Sequence, residues 1–205
     1  MGKLCFIFLG FILLESCVTG KIEEPKFDVI LAEGEFEIRE YAPRVVAETN
    51  VRGEFSDAPS IGFRRLADYI FGNNTKKSEI SMTAPVSQER KNEKIAMTAP
   101  VSQEKNADSS WLITFTMPRQ YSLESLPKPN SELVTLRQLP PAKFATVKFS
   151  GFNRRTTVLE KTESLRQWLK SKSIKEKGSE PIYARYNPPW TPWFLRRNEI
   201  LIELE

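Results

Sequence analysis

The 205-residue sequence contains no histidine. This absence excludes Ser-His-Asp triads, HExxH zinc sites and metallocofactors held by an axial imidazole. Cysteine is nearly as scarce, because the sequence has two, Cys5 and Cys17, and both lie in the first 17 residues. The remainder of the chain therefore has no thiol nucleophile, disulfide or thiolate metal site. Since most familiar catalytic constellations need one of these residue types, the sequence favours a binding protein over an enzyme.

Net charge is also small. The 30 Lys and Arg residues exceed the 26 Asp and Glu residues by only four. Without a clustered basic stripe, such a balance does not indicate a nucleic-acid partner. In contrast, thirteen Phe, five Tyr and four Trp residues supply ample apolar surface for a packed core. Length and composition thus predict a globular protein of one domain, or of two small fused domains.

The first 17 residues have the composition of an export signal. Lys3 supplies a positive charge, and residues 4–14 form an apolar run of eleven residues. That run matches the ~7–15 residues of a signal peptide's apolar core and is shorter than the ~20 needed to span a bilayer. Residues 14–17, Leu-Glu-Ser-Cys, then resemble a bacterial lipobox. We therefore expect a lipoprotein signal peptide over residues 1–16, with Cys17 as the acylated anchor.

This interpretation predicts a location and a partner. An acylated Cys17 would hold the protein in a lipid bilayer on the extracytoplasmic side of the cell envelope, and residues 17–26 would act as a linker. The alternatives are a plain signal peptide, which gives a secreted or periplasmic protein, and an uncleaved anchor with an incidental cysteine.

From residue 27 onward, strand-like alternation and helical spacing follow one another twice. Two helices are predicted at 57–71 and 154–172, where apolar residues recur along one face. Asp57 and Asn153 are expected to cap their first turns, and Gly72 is expected to end the first helix. Strands are predicted at 27–31, 36–41, 45–51, 79–87, 94–102, 111–117, 181–186 and 199–204. The predicted plan is strands, helix and strands, repeated once.

The two predicted halves share residues at a constant offset of 98 positions. Ile-Arg-Glu-Tyr-Ala-Pro at 38–43 aligns with Leu-Arg-Gln-Leu-Pro-Pro at 136–141, and Gly53 aligns with Gly151, each shortly before a predicted helix. Identity is low and chance is the alternative, but the shared proline and glycine positions favour an internal duplication. We expect two pseudo-symmetric strand–helix–strand halves.

A tighter repeat lies within the first half. Residues 80–89 recur almost unchanged at 95–104, and each copy contains Met-Thr-Ala-Pro-Val. A period of 15 residues is too short for a solenoid repeat and suits two strands joined by a polar turn. The proline in each copy removes one backbone donor, which places it at a sheet edge or a strand end. The polar segments 88–94 and 103–110 are predicted as loops.

Four stretches of the sequence are distinctive. They are Phe-Glu-Ile-Arg-Glu-Tyr at 36–41, the two Met-Thr-Ala-Pro-Val copies, Met-Pro at 117–118 with the Tyr-Ser-Leu and Leu-Pro that follow it, and the long run Tyr-Asn-Pro-Pro-Trp-Thr-Pro-Trp-Phe-Leu-Arg-Arg-Asn-Glu at 186–199. Together they resemble the SOUL, or haem-binding protein, family. The resemblance implies an α+β fold over residues 27–205: a distorted antiparallel β-barrel with two helices, built from two pseudo-symmetric halves. It also implies kinship with bacterial effector-binding domains that hold apolar small molecules.

The resemblance further implies a ligand and a site. Family members bind haem or another tetrapyrrole, an apolar ligand that carries acid groups, and we expect carriage or buffering without catalysis. A pocket described in the family lies on the first helix, and its positions correspond here to Ser60, Phe63 and Ala67. Phe63 would stack on the macrocycle, while Arg64, or Arg65 beside it, would pair with a propionate.

Two departures from the family pattern favour a different function. The family's arginine is replaced by Ser60 and an apolar residue by Ala67, so the alternative is an envelope-associated interaction module that keeps the fold without binding tetrapyrrole. Because histidine is absent, an axial ligand to haem would have to be Met82, Met97 or a tyrosine, or there would be none. A methionine in a strand more often fills core space.

Three surface features complete the predictions. Residues 188–193 are either a partner-docking loop with exposed indoles or a rigid connection whose Trp rings cover one end of the barrel, and we favour the second. The lysine-rich run 161–177 either contacts anionic lipid headgroups or forms a solvated helix end, and the second is again favoured. The segment 196–199, Arg-Arg-Asn-Glu, is expected to form bridging surface ion pairs worth roughly 0–1 kcal/mol.

Overall fold

The computed structural model describes residues 22–76 and 92–205. Its helices are α1 (Ala58–Ile70) and α2 (Arg155–Ser171), with a short 3-10 helix at Trp193–Leu195. Its strands are β1 (Phe27–Glu33), β2 (Phe36–Tyr41), β3 (Arg44–Val51), β4 (Asn74–Thr75), β5 (Val101–Lys105), β6 (Trp111–Thr116), β7 (Lys128–Pro129), β8 (Thr135–Leu139), β9 (Ala142–Ser150), β10 (Ile182–Arg185) and β11 (Arg197–Glu203). The predicted signal segment with Cys17 and the predicted strand 79–87 lie outside the described residues.

Nine of these strands form one antiparallel sheet in the order β1-β2-β9-β11-β10-β5-β6-β3-β8, while β4 and β7 pair with each other. A long antiparallel sheet accumulates twist from strand to strand, and here the twist curls the sheet into a half-closed, distorted barrel. With two helices packed on it, this architecture confirms the predicted α+β fold class.

The sheet order is symmetric about the junction between β10 and β5. Outward from this junction, one side runs β10-β11-β9-β2 and the other runs β5-β6-β3-β8. Four strands on each side therefore correspond, while β1 extends one side by a fifth strand without a counterpart. Gly53 and Gly151, with φ angles of +137° and +108°, occupy the bends before α1 and α2, in a backbone region that favours glycine. Strands of the first half pair with strands of the second, β2 with β9 and β3 with β8, so the two halves share one sheet.

Both helices pack on the same face of the sheet. A row of directly paired residues, which share one face, runs across β11, β10, β5 and β6. Its members are Ile200, Tyr183, Gln103 and Ile113. α2 packs at the Ile200 end of this row and α1 at the Ile113 end. The opposite face carries a separate apolar cluster of Tyr41, Phe144, Ala184 and Leu201. One face is thus covered by helices, and the other is left to form a site.

The predicted helix boundaries lie within a residue of the observed ones, but neither Asp57 nor Asn153 caps its helix through its side chain as predicted. Asp57 occupies the N-cap position of α1 in a helical conformation and makes no side-chain cap hydrogen bond, whereas a capping side chain usually needs an extended backbone. The N-cap of α2 is Arg154 instead of Asn153, whose buried Oδ1 has no partner in the described part of the chain. Gly72 lies directly after the C-cap residue Phe71, and the φ angle of Gly72 is +124°.

The second Met-Thr-Ala-Pro-Val copy forms a regular strand only at its end. Of the strand predicted at 94–102, only the last two residues are regular strand, because β5 begins at Val101. Before it, Thr98 makes an isolated bridge with Glu23. Pro100 has no N–H with which to extend the ladder towards the N-terminus. The loop predicted at 103–110 therefore begins as strand and turns only after Lys105.

Gly62 lies where α1 crosses β6. A Cβ at this position would lie less than 3.0 Å from three side-chain atoms of Ile113, which is fully buried. Replacing Gly by Ala inside a helix normally raises stability by about 1 kcal/mol, but overpacking a core costs about 1–3 kcal/mol. Gly62→Ala should therefore lower the free energy of unfolding in urea denaturation, whereas Ser60→Ala on the exposed side of the same helix should raise it slightly. A more stable Gly62→Ala variant would contradict this packing.

Candidate functional site

The sheet face opposite the helices forms a cleft of about 350 Å³. Side chains at alternate positions of many strands line it, because successive residues of a strand point to opposite faces. The rings of Tyr41, Phe144 and Tyr186 contribute an apolar wall, and Tyr41 packs edge-on to Phe144 with ring centroids 5.6 Å apart. This volume is at the lower end of the range for small-molecule sites, so the cleft is a candidate ligand site.

Six side chains of the acidic and basic residue types also line the cleft. They are Arg44, Glu48, Glu104, Arg137, Lys177 and Glu203. Arg137 donates two hydrogen bonds of 3.0 Å to Glu48, and Lys177 donates one of 2.7 Å to Glu203. Burial raises the pKa of Glu104, and the nearby carboxylate of Glu203 raises it further. The cleft therefore combines paired charges with one carboxyl group whose ionisation is unfavourable.

Arg44 is the cation with unmet hydrogen-bonding capacity. Its Nη1 is buried and has no hydrogen-bond partner within the described ranges. The guanidinium lies 5.0 Å from the ring centroid of Tyr41 and 5.9 Å from that of Phe144. Burial lowers the pKa of Arg44, yet arginine stays protonated in proteins. A buried donor without an acceptor costs about 1–3 kcal/mol, and a ligand carboxylate would supply that acceptor.

The raised pKa of Glu104 has a measurable consequence. Because the fold opposes its ionisation, Glu104 reduces stability as the pH rises above its unfolded pKa of about 4.3, and the reduction is complete above its folded pKa. Glu104→Gln should therefore raise the free energy of unfolding at neutral pH, and the gain should vanish below about pH 4. Urea denaturation between about pH 4 and neutral pH measures the gain and its loss. Glu40→Gln, at an exposed residue, is the control and should change the free energy of unfolding by less than about 0.5 kcal/mol. A Glu104→Gln variant that is less stable than the parent at neutral pH would contradict this environment.

A buried ionic network borders the cleft. Arg39 is fully buried and Glu199 is 1% exposed. The two carboxylate oxygens of Glu199 accept hydrogen bonds from Arg39 at 2.7 and 3.1 Å, from Arg197 at 3.0 Å and from the Tyr186 hydroxyl at 2.7 Å. Burial alone would raise the pKa of Glu199, but the hydrogen bonds and charge of Arg39 hold it below its usual value. The prediction of surface pairs at 196–199 is wrong for Glu199, because its main partner reaches it inside the fold.

The helix α1 brings the four predicted ligand-binding residues onto one stripe, at the spacing i, i+3, i+4 and i+7. They are Ser60, Phe63, Arg64 and Ala67. Ser60 and Arg64 are exposed and Ala67 is buried, while Phe63 is half-buried with its ring centroid 5.5 Å from that of Phe115. One turn further on, Phe71 is 56% exposed and extends the stripe. The structure thus gathers these side chains on one surface.

The α1 stripe is separate from the cleft. Neither the cleft nor a second cavity of about 280 Å³ is lined by any of the four predicted residues. Arg65, the alternative partner for a propionate, donates to the backbone oxygen of Asn50 at 2.8 Å. Among residues 22–76 and 92–205, the stripe is therefore an open surface, and Arg64 is its solvent-exposed cation.

Of the two methionines considered as axial ligands, the structure describes only Met97. Met97 is half-buried and packs against the core cluster under α1, and Met82 lies outside the described residues. Within the described ranges, no three acidic side chains group as a metal site. Neither described helix has the length and apolar character needed to cross a membrane.

Sequence reasoning missed the charged residues of the cleft. Arg44 and Glu48 lie four residues apart on β3, so their side chains point to the same face, and Glu104 lies on β5. The available signal was period-two alternation, since these charges occupy the positions that point away from the helix-covered face. The pattern identifies such a face, but the curvature that turns it into a cleft depends on all nine strands.

The sequence matches one family model along most of its length. The model described as SOUL heme-binding protein matches residues 22–93 and 87–203. Heme-binding protein 1 of Xenopus tropicalis and of Xenopus laevis are each 24% identical over 194 residues, covering 92% of this chain and 95% of the relative. Human heme-binding protein 2 is 42% identical over 55 residues, which is 26% of this chain and 27% of that relative.

Solved structures share the fold at low sequence identity. The C-terminal domain of EcmrR superposes with a TM-score of 0.58 at 10% identity, covering 83% of this chain and 96% of that domain. A hydrolase from Listeria innocua superposes with a TM-score of 0.56 at 8% identity, covering 86% of this chain and 94% of the hydrolase. At these identities the likeness shows the fold alone. Because the SOUL model matches both halves of the barrel, the chain belongs to the SOUL haem-binding protein family.

Proposed function

We propose that the protein binds haem or another tetrapyrrole without histidine ligation, and that it carries or buffers this ligand. Family membership and the names of the Xenopus relatives support the ligand class. The structural observation that carries the proposal is the α1 stripe, which sets aromatic surface from Phe63 and Phe71 beside the exposed Arg64. A flat apolar ligand with acid groups needs this combination of an apolar face and a cation.

Each side chain of the stripe would have a distinct role. Phe63 and the small Ala67 would lie against the macrocycle, and Ser60 would face its edge. Arg64 would donate charge-assisted hydrogen bonds to a ligand carboxylate. A bound haem would bring a redox-active iron, and none of these four side chains would ligate it.

The cleft is a second location for the same ligand. Arg44 lies between the rings of Tyr41 and Phe144 with a buried donor that lacks an acceptor. A carboxylate there would complete the hydrogen bonding of Arg44. The two locations are independent, because they share no residue.

Titration of the full-length protein with haemin tests the proposal. We expect a saturable shift of the Soret band that excess protoporphyrin reverses. The variant Phe63→Ala/Arg64→Ala carries the same apolar N-terminal segment, so it corrects for non-specific uptake of haemin by residues 1–16. A wild-type signal that neither saturates nor responds to protoporphyrin would remove tetrapyrrole binding.

One observation favours a second candidate function, an envelope-associated interaction module. Ser60 and Ala67 offer neither charge nor a large apolar surface, and no described residue encloses the stripe as a cavity. If this candidate is correct, the Soret signal of the folded protein will not saturate as haemin is added. Protoporphyrin will also leave the urea concentration at the midpoint of unfolding unchanged.

We also propose that Cys17 is acylated and that the domain is held on the extracytoplasmic side of the cell envelope. The apolar run 4–14 and the lipobox-like residues 14–17 support this location. Metabolic labelling with palmitate should mark the wild type and Cys5→Ser but not Cys17→Ser. Label that persists in Cys17→Ser would contradict an anchor at this position.

A further inference from the structure

A patch of exposed aromatic and aliphatic side chains covers one end of the domain. Its members, which we call the aromatic patch, are Phe152, Trp190, Trp193, Phe194 and Leu195, with 46%, 82%, 53%, 57% and 63% of each residue exposed. The favoured sequence interpretation, in which the Trp rings cover the barrel end, is therefore wrong for Trp190. Large apolar side chains exposed this close together in the chain are typical of an interaction site.

Local contacts hold the aromatic patch in a defined shape. Phe152 stacks on Trp193 with ring centroids 5.8 Å apart, and Trp193 meets Phe194 edge-on at 5.7 Å. The Arg196 guanidinium donates to the backbone oxygens of Thr191, at 2.8 Å, and of Pro189, and lies 5.7 Å from the Phe152 ring centroid. The loop is thus braced from within, and its apolar side chains stay on the outside.

The loops that build the aromatic patch are basic, although Arg197 among them is paired with Glu24 and Glu199. The two segments that build it, 151–157 and 187–198, contain four arginines and no acidic residue. Arg154 lies 5.2 Å from the Phe152 ring centroid, which places a cation at the rim of the patch. This complements an anionic surface.

The lysine-rich run offers a weaker match to such a surface. Lys161, Lys172 and Lys177 each form an ion pair with a glutamate, at N–O distances of 2.6, 2.6 and 2.7 Å. Their charge is therefore largely balanced within the protein, and the run also lacks the apolar side chains of the aromatic patch.

The N-terminal segment passes close to the base of the aromatic patch. Arg197, which directly follows the patch loop, pairs with Glu24 at 3.0 Å. Cys17 precedes Ile22, where the described structure begins, by five residues, and five extended residues span at most about 18 Å. A lipid on Cys17 would hold a bilayer within that distance of this end of the domain.

We propose that the aromatic patch docks on an anionic phospholipid bilayer, with Trp190, Phe194 and Leu195 in the interfacial layer and the arginines at the headgroups. Tryptophan is enriched at membrane interfaces because its ring is apolar and its N–H can still meet water. Basic residues add attraction to anionic lipid, and binding at the interface grows with the apolar area that is buried there. This contact is independent of tetrapyrrole binding.

Fluorescence quenching by brominated phospholipids tests the docking directly in the full-length protein. Vesicles contain phosphatidylcholine alone or mixed with phosphatidylglycerol, with bromine on the acyl chains. We expect a blue shift and quenching of tryptophan emission on the mixed vesicles. Trp190→Phe/Trp193→Phe should lose the quenched component, whereas the matched control Trp168→Phe, at a residue 8% exposed, should keep it.

Two further variants distinguish quenching caused by the aromatic patch from quenching caused by membrane binding of the N-terminal segment. That segment is the same in all the proteins compared. Trp190→Ser/Leu195→Ser should abolish quenching of the remaining Trp193, while Ile30→Ser, at an exposed apolar residue of β1, should leave it unchanged. Arg154→Gln should reduce the quenching on mixed vesicles more than on neutral ones.

Two results would overturn the proposal. One is protein bound to vesicles through its N-terminal segment with tryptophan emission unaffected by bromine. The other is a blue shift that appears without vesicles as protein concentration rises, which would identify the aromatic patch as a contact between two copies of the chain.

Discussion

Replacing Glu199 by glutamine should lower the free energy of unfolding by about 3–5 kcal/mol, the usual effect of breaking a buried ion pair from one side. The carboxylate accepts hydrogen bonds from Arg39, Arg197 and Tyr186 and is almost completely buried. A neutral amide would remove the fully buried counter-ion of Arg39 and leave it with the partly exposed carboxylate of Glu37 at 2.7 Å, and the N–H₂ group of the amide would face donors.

Urea denaturation of Glu199→Gln and of a matched control measures this effect. Glu48→Gln removes a carboxylate from a similar two-bond pair with Arg137, but that arginine side chain is 53% exposed, so the expected loss is about 0–1 kcal/mol. Because the folded pKa of Glu199 is lowered, its contribution is present above its unfolded pKa and is lost as the pH falls through the folded value. Equal losses for the two variants would contradict the buried network.

Phe63→Ala combined with Arg64→Ala should weaken haemin binding by about a hundredfold or more if the ligand lies on the α1 stripe. Removing a large apolar contact costs about 1.5–3 kcal/mol, and removing a hydrogen bond to a charged group costs about 1.5–3 kcal/mol. Each tenfold change in affinity corresponds to about 1.4 kcal/mol. The Soret titration of the double variant measures the change.

Two controls make this result specific. Phe63 packs against Phe115, so urea denaturation must show that the double variant is still folded at the temperature of the titration. Arg44→Gln tests the cleft, and it should leave affinity unchanged if the α1 stripe holds the ligand. A loss confined to Arg44→Gln would place the ligand in the cleft, and unchanged affinity in both variants would contradict both locations.

Local pattern was enough to predict most elements of this fold. The alternation at 36–41 matches β2 residue for residue, and the predicted helices 57–71 and 154–172 each extend one residue beyond α1 and α2 at both ends. These elements are set by period-two and 3.6-residue spacing, which is visible in the sequence itself. The side-chain N-caps were predicted wrongly because capping depends on the φ and ψ angles of one residue, as at Asp57.

The chemistry of the site was predicted less completely, because it depends on contacts between distant residues. Arg39 and Glu199 are 160 positions apart, and no local pattern pairs them. The residues Ser60, Phe63, Arg64 and Ala67 came from the family resemblance, and helical spacing then predicts that they share one face of α1. Exposure of Trp190 was not predictable, because the eleven residues of proline-rich loop between β10 and β11 have no periodicity that assigns a face.

The most direct test of the central claim compares the dissociation constants of haemin and metal-free protoporphyrin for the full-length protein. If apolar contact and carboxylate pairing hold the ligand, the two constants should agree within about tenfold, a difference of about 1.4 kcal/mol. Haemin binding more than about a hundredfold tighter than protoporphyrin would mean that a side chain ligates the iron, and it would contradict a site that works without a metal bond.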